Sequence, residues 1–267
     1  MKDTDKHLAF FINHIPKALQ YYDQREVNSV QLFALGLLKR LNHASNSLML
    51  ILENIEQKPQ LDFSAGITIR AILLDTLLGL NFYKLLKDNL PKKLPDEQIK
   101  LLTTEFCDII LADGLENTVK YFELARTLGF ISNIEHKQLL NNFITNYSTY
   151  FEPHLNNGQM PRVKFERVKG PIELFKVIAG DSDMKNISRI YDLYLFYSKY
   201  DHFGILYFNV KDAPLHEKID RLERSVYVFV RHCANLYDIL ERVSQKDKFI
   251  KKQYNIANNY LNQNNGT

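Results

Sequence analysis

Apolar residues recur at three- and four-residue spacing over nearly the whole of this chain. Little interrupts them, since 267 residues hold only 10 glycines and 8 prolines. That spacing returns to one face of a helix, so a chain patterned this way must bury helix against helix. The pattern predicts an all-α fold, a bundle of about seven or eight helices forming a single domain over residues 1–245. A peripheral helix and an Asn-rich, fraying tail are expected over 246–267. A hydrophobic share of 45% beside 24% charged residues supplies an ordinary globular core.

Punctuation sets the elements. A short helix is expected from about Asp5 to Tyr22 and a long one from about Val27 to Glu56, closed by Pro59. Asp62 or Ser64 suits the cap of the next helix, which runs to about Asn89. Pro91 and Pro95 mark a turn, and Asp96 and Glu97 suit the first turn of a helix reaching towards Gly129, with a break expected near Asp113 and Gly114. Ser132, three residues before Glu135, forms a capping-box pattern for a helix to about Tyr150. From Phe151 to Asp183 the periodicity fails, because Pro153, Gly158, Pro161, Gly170, Pro171 and Gly180 fall there. This stretch reads as an irregular insertion, extended in part. Two helices follow, over about 184–208 and 214–243, and the latter carries a regular apolar stripe of Leu222, Val226, Phe229, Cys233, Leu236 and Leu240.

Several function classes are disfavoured by bulk properties. A net charge of +3 is too slight to imply nucleic acid or an anionic membrane by itself. The two cysteines, Cys107 and Cys233, lie on separate amphipathic segments, as buried thiols in a reducing compartment would. The N-terminal segment carries acids and lacks an apolar signal core, and the apolar window near Ile67–Leu80 is interrupted by Arg70 and Asp75. A cytoplasmic protein without a membrane partner is the expectation.

Two segments carry candidate chemistry. Ser64 to Asp75 and Ile190 to Gly204 each set polar side chains into otherwise apolar helix, which costs stability unless partners are provided. A guanidinium at Arg70, on a mostly apolar face with Leu74, Leu77 and Asn81, demands a carboxylate, carbonyls or a bound anion. Asp75 lies about 140° around the helix from it, so its expected partner is Asp201. Tyr191, Tyr194, Ser198, Asp201 and His202 form a second polar stripe on the later helix. The two segments are expected to answer each other across a lined polar pocket, with Arg40, His43 and Ser47 extending the network from another helix. In that pocket Arg70, Asp75, Tyr194 and Ser198 are the ligand-binding candidates, and His202 with Asp201 the catalytic ones. A separate basic arm, Arg162, Lys164, Arg167 and Lys169 with Phe165 between, is the best electrostatic patch for an anion or nucleic acid, its phenyl ring suited to stacking on a base.

Tyr194, Ser198 and His202 form a Tyr-x-x-x-Ser-x-x-x-His pattern, and Arg70 opens an earlier Arg-x-x-x pattern. In this pairing the chain resembles the DUF5677-type family of bacterial helical proteins. Members carry Glu four residues after the arginine; here Leu74 stands there and the acid is Asp75. The resemblance spans about residues 30–240 and implies a helical fold without fixing an activity.

Absent motifs narrow the choice further. No arginine stands at the spacing to histidine that helical HEPN ribonucleases use, and there is no His-Glu-x-x-His, Glu-x-x-His, Gly-x-Ser-x-Gly or phosphate-binding loop. Neither a metal nor a cofactor is expected. The preferred reading is a helical binding or interaction protein with a buried polar pocket, a component of a bacterial stress or defence system. The alternative is a metal-independent enzyme acting on a phosphate-containing substrate, nucleotide or RNA. A small anionic ligand and a homo-oligomer fit the reading; nucleic acid is the less favoured partner.

Overall fold

A computed structural model describes residues 2–89, 96–152, 161–181, 188–199, 214–244 and 247–264. Among them are nine helices and no strand: α1 (Lys2–Tyr22), α2 (Ser29–Leu52), α3 (Leu61–Asn89), α4 (Asp96–Thr127), α5 (Asn133–Asn146), α6 (Pro171–Ala179), α7 (Ser188–Ser198), α8 (Leu215–Val243) and α9 (Lys248–Asn264). The all-helical bundle is as expected, with slightly more helices than the spacing suggested.

The chain resolves into two compact units, Met1–Leu94 with Gly170–Thr267, and Pro95–Lys169, where the sequence pattern reads as one domain over 1–245. In the first unit α8 is central and packs on α1, α2, α3, α7 and α9. The reason is its apolar stripe. Leu222, Val226, Phe229, Cys233, Leu236 and Leu240 are all buried, and each such side chain contributes roughly 1.5–3 kcal/mol by leaving water. The helix α3 is the one described helix long and apolar enough to cross a membrane by length and composition. That apolarity has an internal use, because α3 packs against α2, α6, α7 and α8.

Caps and short ties fix the ends. Asn28 and Gln31 form a reciprocal capping box at the start of α2, and Gln31 Nε2 also donates to Ser244 Oγ at 3.1 Å. Tyr22 shares a hydrogen bond with the same hydroxyl at 2.7 Å, tying the end of α1 to the end of α8. Asp247 accepts from the backbone N–H groups of Phe249 and Ile250 and from Tyr21 OH, so one carboxylate caps α9 and holds α1.

Three local expectations need correction. The insertion expected at 151–183 is not irregular throughout, because Pro171–Ala179 forms α6, with Pro171 starting it and Glu173 reaching back to the Gly170 N–H. A helix does follow residue 246, but the fraying expected from Gln253 onward is not found as far as Asn264: Ile250, Gln253 and Ala257 form a buried stripe on α9, which packs on α8 and α1. The break expected near Gly114 is absent, and α4 runs through it unbroken.

In the second unit, Leu115, Val119 and Phe151 make a small core with Leu140, Phe143, Ile144, Tyr150 and Val163 around it. Ser132 caps α5 as its spacing with Glu135 predicts. The arm after Pro161 is extended but forms only a single antiparallel bridge, Phe151 with Val163.

Candidate functional site

The polar residues of α3 divide between two faces. Arg70 and Asn81 lie on the side facing α6 and α7. There Asn81 Nδ2 donates to the Leu174 carbonyl of α6 at 3.0 Å, and Arg70 Nη2 reaches Tyr194 OH of α7 at 3.4 Å with its guanidinium 5.5 Å from the ring centre. Tyr191 is held beside it by stacking on Phe175 of α6, with ring centres 4.6 Å apart. The contact expected between the Arg70 segment and the Tyr194 segment therefore forms.

Asp75 does not join it. Five residues on from Arg70, it turns towards α2, where its buried carboxylate accepts from Arg40 Nε at 2.6 Å. Burial raises the Asp75 carboxyl above the usual range, and the adjacent Arg40 opposes that rise. Of the other expected members, Ser198 donates to the Leu195 carbonyl one turn back, and Ser47 does the same to His43. Asp201 and His202 lie outside the described residues. The structure thus brings together Arg70 with Tyr194 and, separately, Asp75 with Arg40.

Of the second pair, Arg40 lines an open cleft of about 490 Å³ between α2 and α3. Gly36, Lys39, Arg40, His43 and Ala44 line one wall, and Ile67, Thr68, Ala71 and Ile72 the other. Arg40 is engaged through Nε alone among the hydrogen bonds it makes, and its side chain stays 59% exposed while Asp75 is only 6% exposed. The buried carboxylate therefore fixes the guanidinium while its two terminal amino groups remain as donors. Lys39 and His43 stand on the same wall, both exposed. The sequence singled out Arg40 and His43 but missed Lys39, for which a solvated lysine gives no signal.

No protein-family model, curated protein or solved structure matches this chain.

The basic arm is displayed differently. Arg162, Lys164, Arg167 and Lys169 are exposed while Val163, Phe165 and Val168 are partly covered, the alternation expected of extended chain. Lys164 N donates to the Tyr150 carbonyl at 2.9 Å and Lys164 Nζ to the Thr149 carbonyl at 3.2 Å. Phe165 meets Tyr150 with ring centres 5.7 Å apart, so its ring packs within the unit.

An ion pair that composition did not single out joins the start of α3 to α8: Lys218 and Asp62 meet at 2.9 Å with both side chains largely buried. Such pairs are costly to break from one side only. Beside them Arg221 of α8 covers the Phe196 ring of α7 at 4.0 Å.

Proposed function

We propose that this chain is a helical binding module, and that its α2–α3 cleft takes the anionic group of a small ligand with an apolar body. The observation that carries this is the Arg40 fork, held by the buried Asp75 carboxylate and open on the cleft side. Guanidinium suits carboxylate or phosphate because its paired N–H groups match two oxygens at once. Lys39 and His43 add donors one turn apart, and Ile67, Ala71 and Ile72 offer an apolar floor. Arg70 with Tyr194 then serves as a packed polar tie between α3 and α7, and the resemblance to the DUF5677-type pattern remains a reading of those residues.

The test uses two probes, inorganic phosphate and adenosine monophosphate, in thermal melts of the purified chain, with native mass spectrometry for any anion that co-purifies. Binding should raise the wild-type melting temperature at millimolar probe, and Arg40→Gln should remove that rise; the unliganded variant should itself melt lower, because Asp75 is left buried without its partner. Equal shifts in both proteins would overturn the assignment, and so would none in either.

A second reading, a metal-independent enzyme on a phosphate-containing substrate, is favoured by the Arg70–Tyr194 contact alone. Under it His202 is the acid or base, and His202→Ala abolishes turnover while sparing ligand binding.

A further inference from the structure

Two glycines inside α2 and α3 meet opposite surroundings. A Cβ on Gly79 of α3 would collide with His232, whereas a Cβ on Gly36 of α2 would meet no atom within 4 Å. Glycine inside a helix is less stable than alanine, so Gly36 weakens α2 without making room for a neighbouring side chain. It lines the α2–α3 cleft one turn before Arg40 and leaves bare backbone beside the guanidinium. The two helices are joined by a short turn and meet at Arg40 and Asp75, so they run antiparallel. From that level Ile67 lies eight residues, about 12 Å, along α3. The cleft is therefore basic at the end of Gly36, Lys39 and Arg40. Ala44, Ala71 and Ile67 line the other end, and His43 stands between.

We propose, resting on the anion-site reading of this cleft, that its ligand is a phosphomonoester with an alkyl body. The head lies against Gly36, Lys39 and Arg40, and the chain runs along Ala44, Ala71 and Ile67. Charge selects the head. Asp75 already offsets Arg40, while Lys39 pairs with no carboxylate among the described residues, and none of the nine lining residues is acidic. The cleft thus keeps uncompensated positive charge. A carboxylate has two oxygens and one charge, which the terminal amino groups of Arg40 satisfy alone. A phosphomonoester brings about two charges and three acceptor oxygens, enough for Arg40 and Lys39 together. Polarity selects the body. Beyond His43 the one polar side chain lining the cleft towards Ile67 is Thr68, and its hydroxyl already donates to the Ser64 carbonyl at 2.9 Å. Ribose hydroxyls and base edges find little to bond there, whereas an alkyl chain leaves water against Ala71 and Ile67.

Calorimetric titration of the full chain with hexyl phosphate, hexanoate, inorganic phosphate and adenosine monophosphate tests the assignment. Hexyl phosphate should bind roughly tenfold or more tighter than each of the others, since a half-buried methylene adds about twofold. Lys39→Gln should remove most of its preference over hexanoate. Gly36→Leu should weaken hexyl phosphate by roughly tenfold or more without lowering the unliganded melting temperature, a combination that a purely structural glycine does not give. Vesicles of phosphatidylcholine with and without phosphatidic acid separate the two sources of such a ligand. Co-sedimentation only with phosphatidic acid assigns a lipid headgroup, and its absence assigns a soluble alkyl phosphate. Hexyl phosphate no tighter than any one of the other probes overturns the assignment, as does unchanged binding by Gly36→Leu; phosphate binding that still depends on Arg40 would then leave the anion site standing. Binding of no probe, or binding indifferent to Arg40→Gln, overturns both.

Discussion

Gly79 occupies the interior of α3, where glycine costs about 1 kcal/mol relative to alanine. Its use is the space it leaves. A Cβ there would stand 2.9 Å from His232 Cε1 and 3.2 Å from Nδ1, so the imidazole of α8 rests on bare backbone. We expect Gly79→Ala to lower stability by about 1–3 kcal/mol despite its better helix propensity, because overpacking a rigid site outweighs it. His232→Ala in the same chain should relieve the added strain, so the double mutant falls less than the two single losses combined. Urea titrations of the four proteins measure this, and an additive result would mean the ring can move aside. At this scale the sequence shows which side chains need partners more readily than which partners they find. The 140° between Arg70 and Asp75 separates them by arithmetic, but only the packing of α2 on α3 delivers Arg40 to the carboxylate.

Gly129 is where α4 can stop. Its φ of +74° lies in the left-handed region, and the two backbone bonds that close the helix depend on it. Gly129→Ala should cost about 1–2 kcal/mol, the penalty an L residue meets there, and Gly129→Asn less. Thermal melts of the two variants would show that order, and equal melts would mean the turn relaxes without strain. Elements like this were readable. A glycine at the helix end, the Ser132 and Glu135 pair, and the 4-3-4-3-4 stripe of α8 each state their own geometry in the sequence. Short or polar elements were harder. Helix α6 spans 9 residues, too few to establish a period among the surrounding prolines and glycines. Helix α9 hides its buried stripe of Ile250, Gln253 and Ala257 among asparagines and lysines. Gly114 misled in the opposite direction, because a single glycine weakens a helix without ending it.

For the molecule as a whole, buried histidines set the response to acid. Burial lowers His232 to about 3 and His14 to about 4, and it lowers His7 as well. Among the described residues neither ring nitrogen of His232 has a hydrogen-bond partner, nor does His14 Nε2. The unfolded chain takes up protons below about pH 6.5 that these folded rings refuse, so stability is full above that value and declines as pH falls through the folded values. Each of the two most shifted rings contributes about 1.4 kcal/mol per pH unit in that window. Asp75 has the opposite sign, since its raised carboxyl holds a proton in the folded state first, and it tempers the loss only in the carboxylate range. Urea midpoints should therefore drop steeply from pH 7 to 5, and His232→Leu should flatten the slope. An unchanged slope in that variant would assign the acid response elsewhere.

The central place of α8 has a further consequence during synthesis. Residues 95–169 have emerged in full while the other unit still lacks α6 to α9. The apolar faces of α1, α2 and α3 thus wait uncovered for a helix that begins only at Leu215. Ribosomes that stall or terminate before that point would release nascent chains with those faces bare, prone to aggregation and dependent on chaperones.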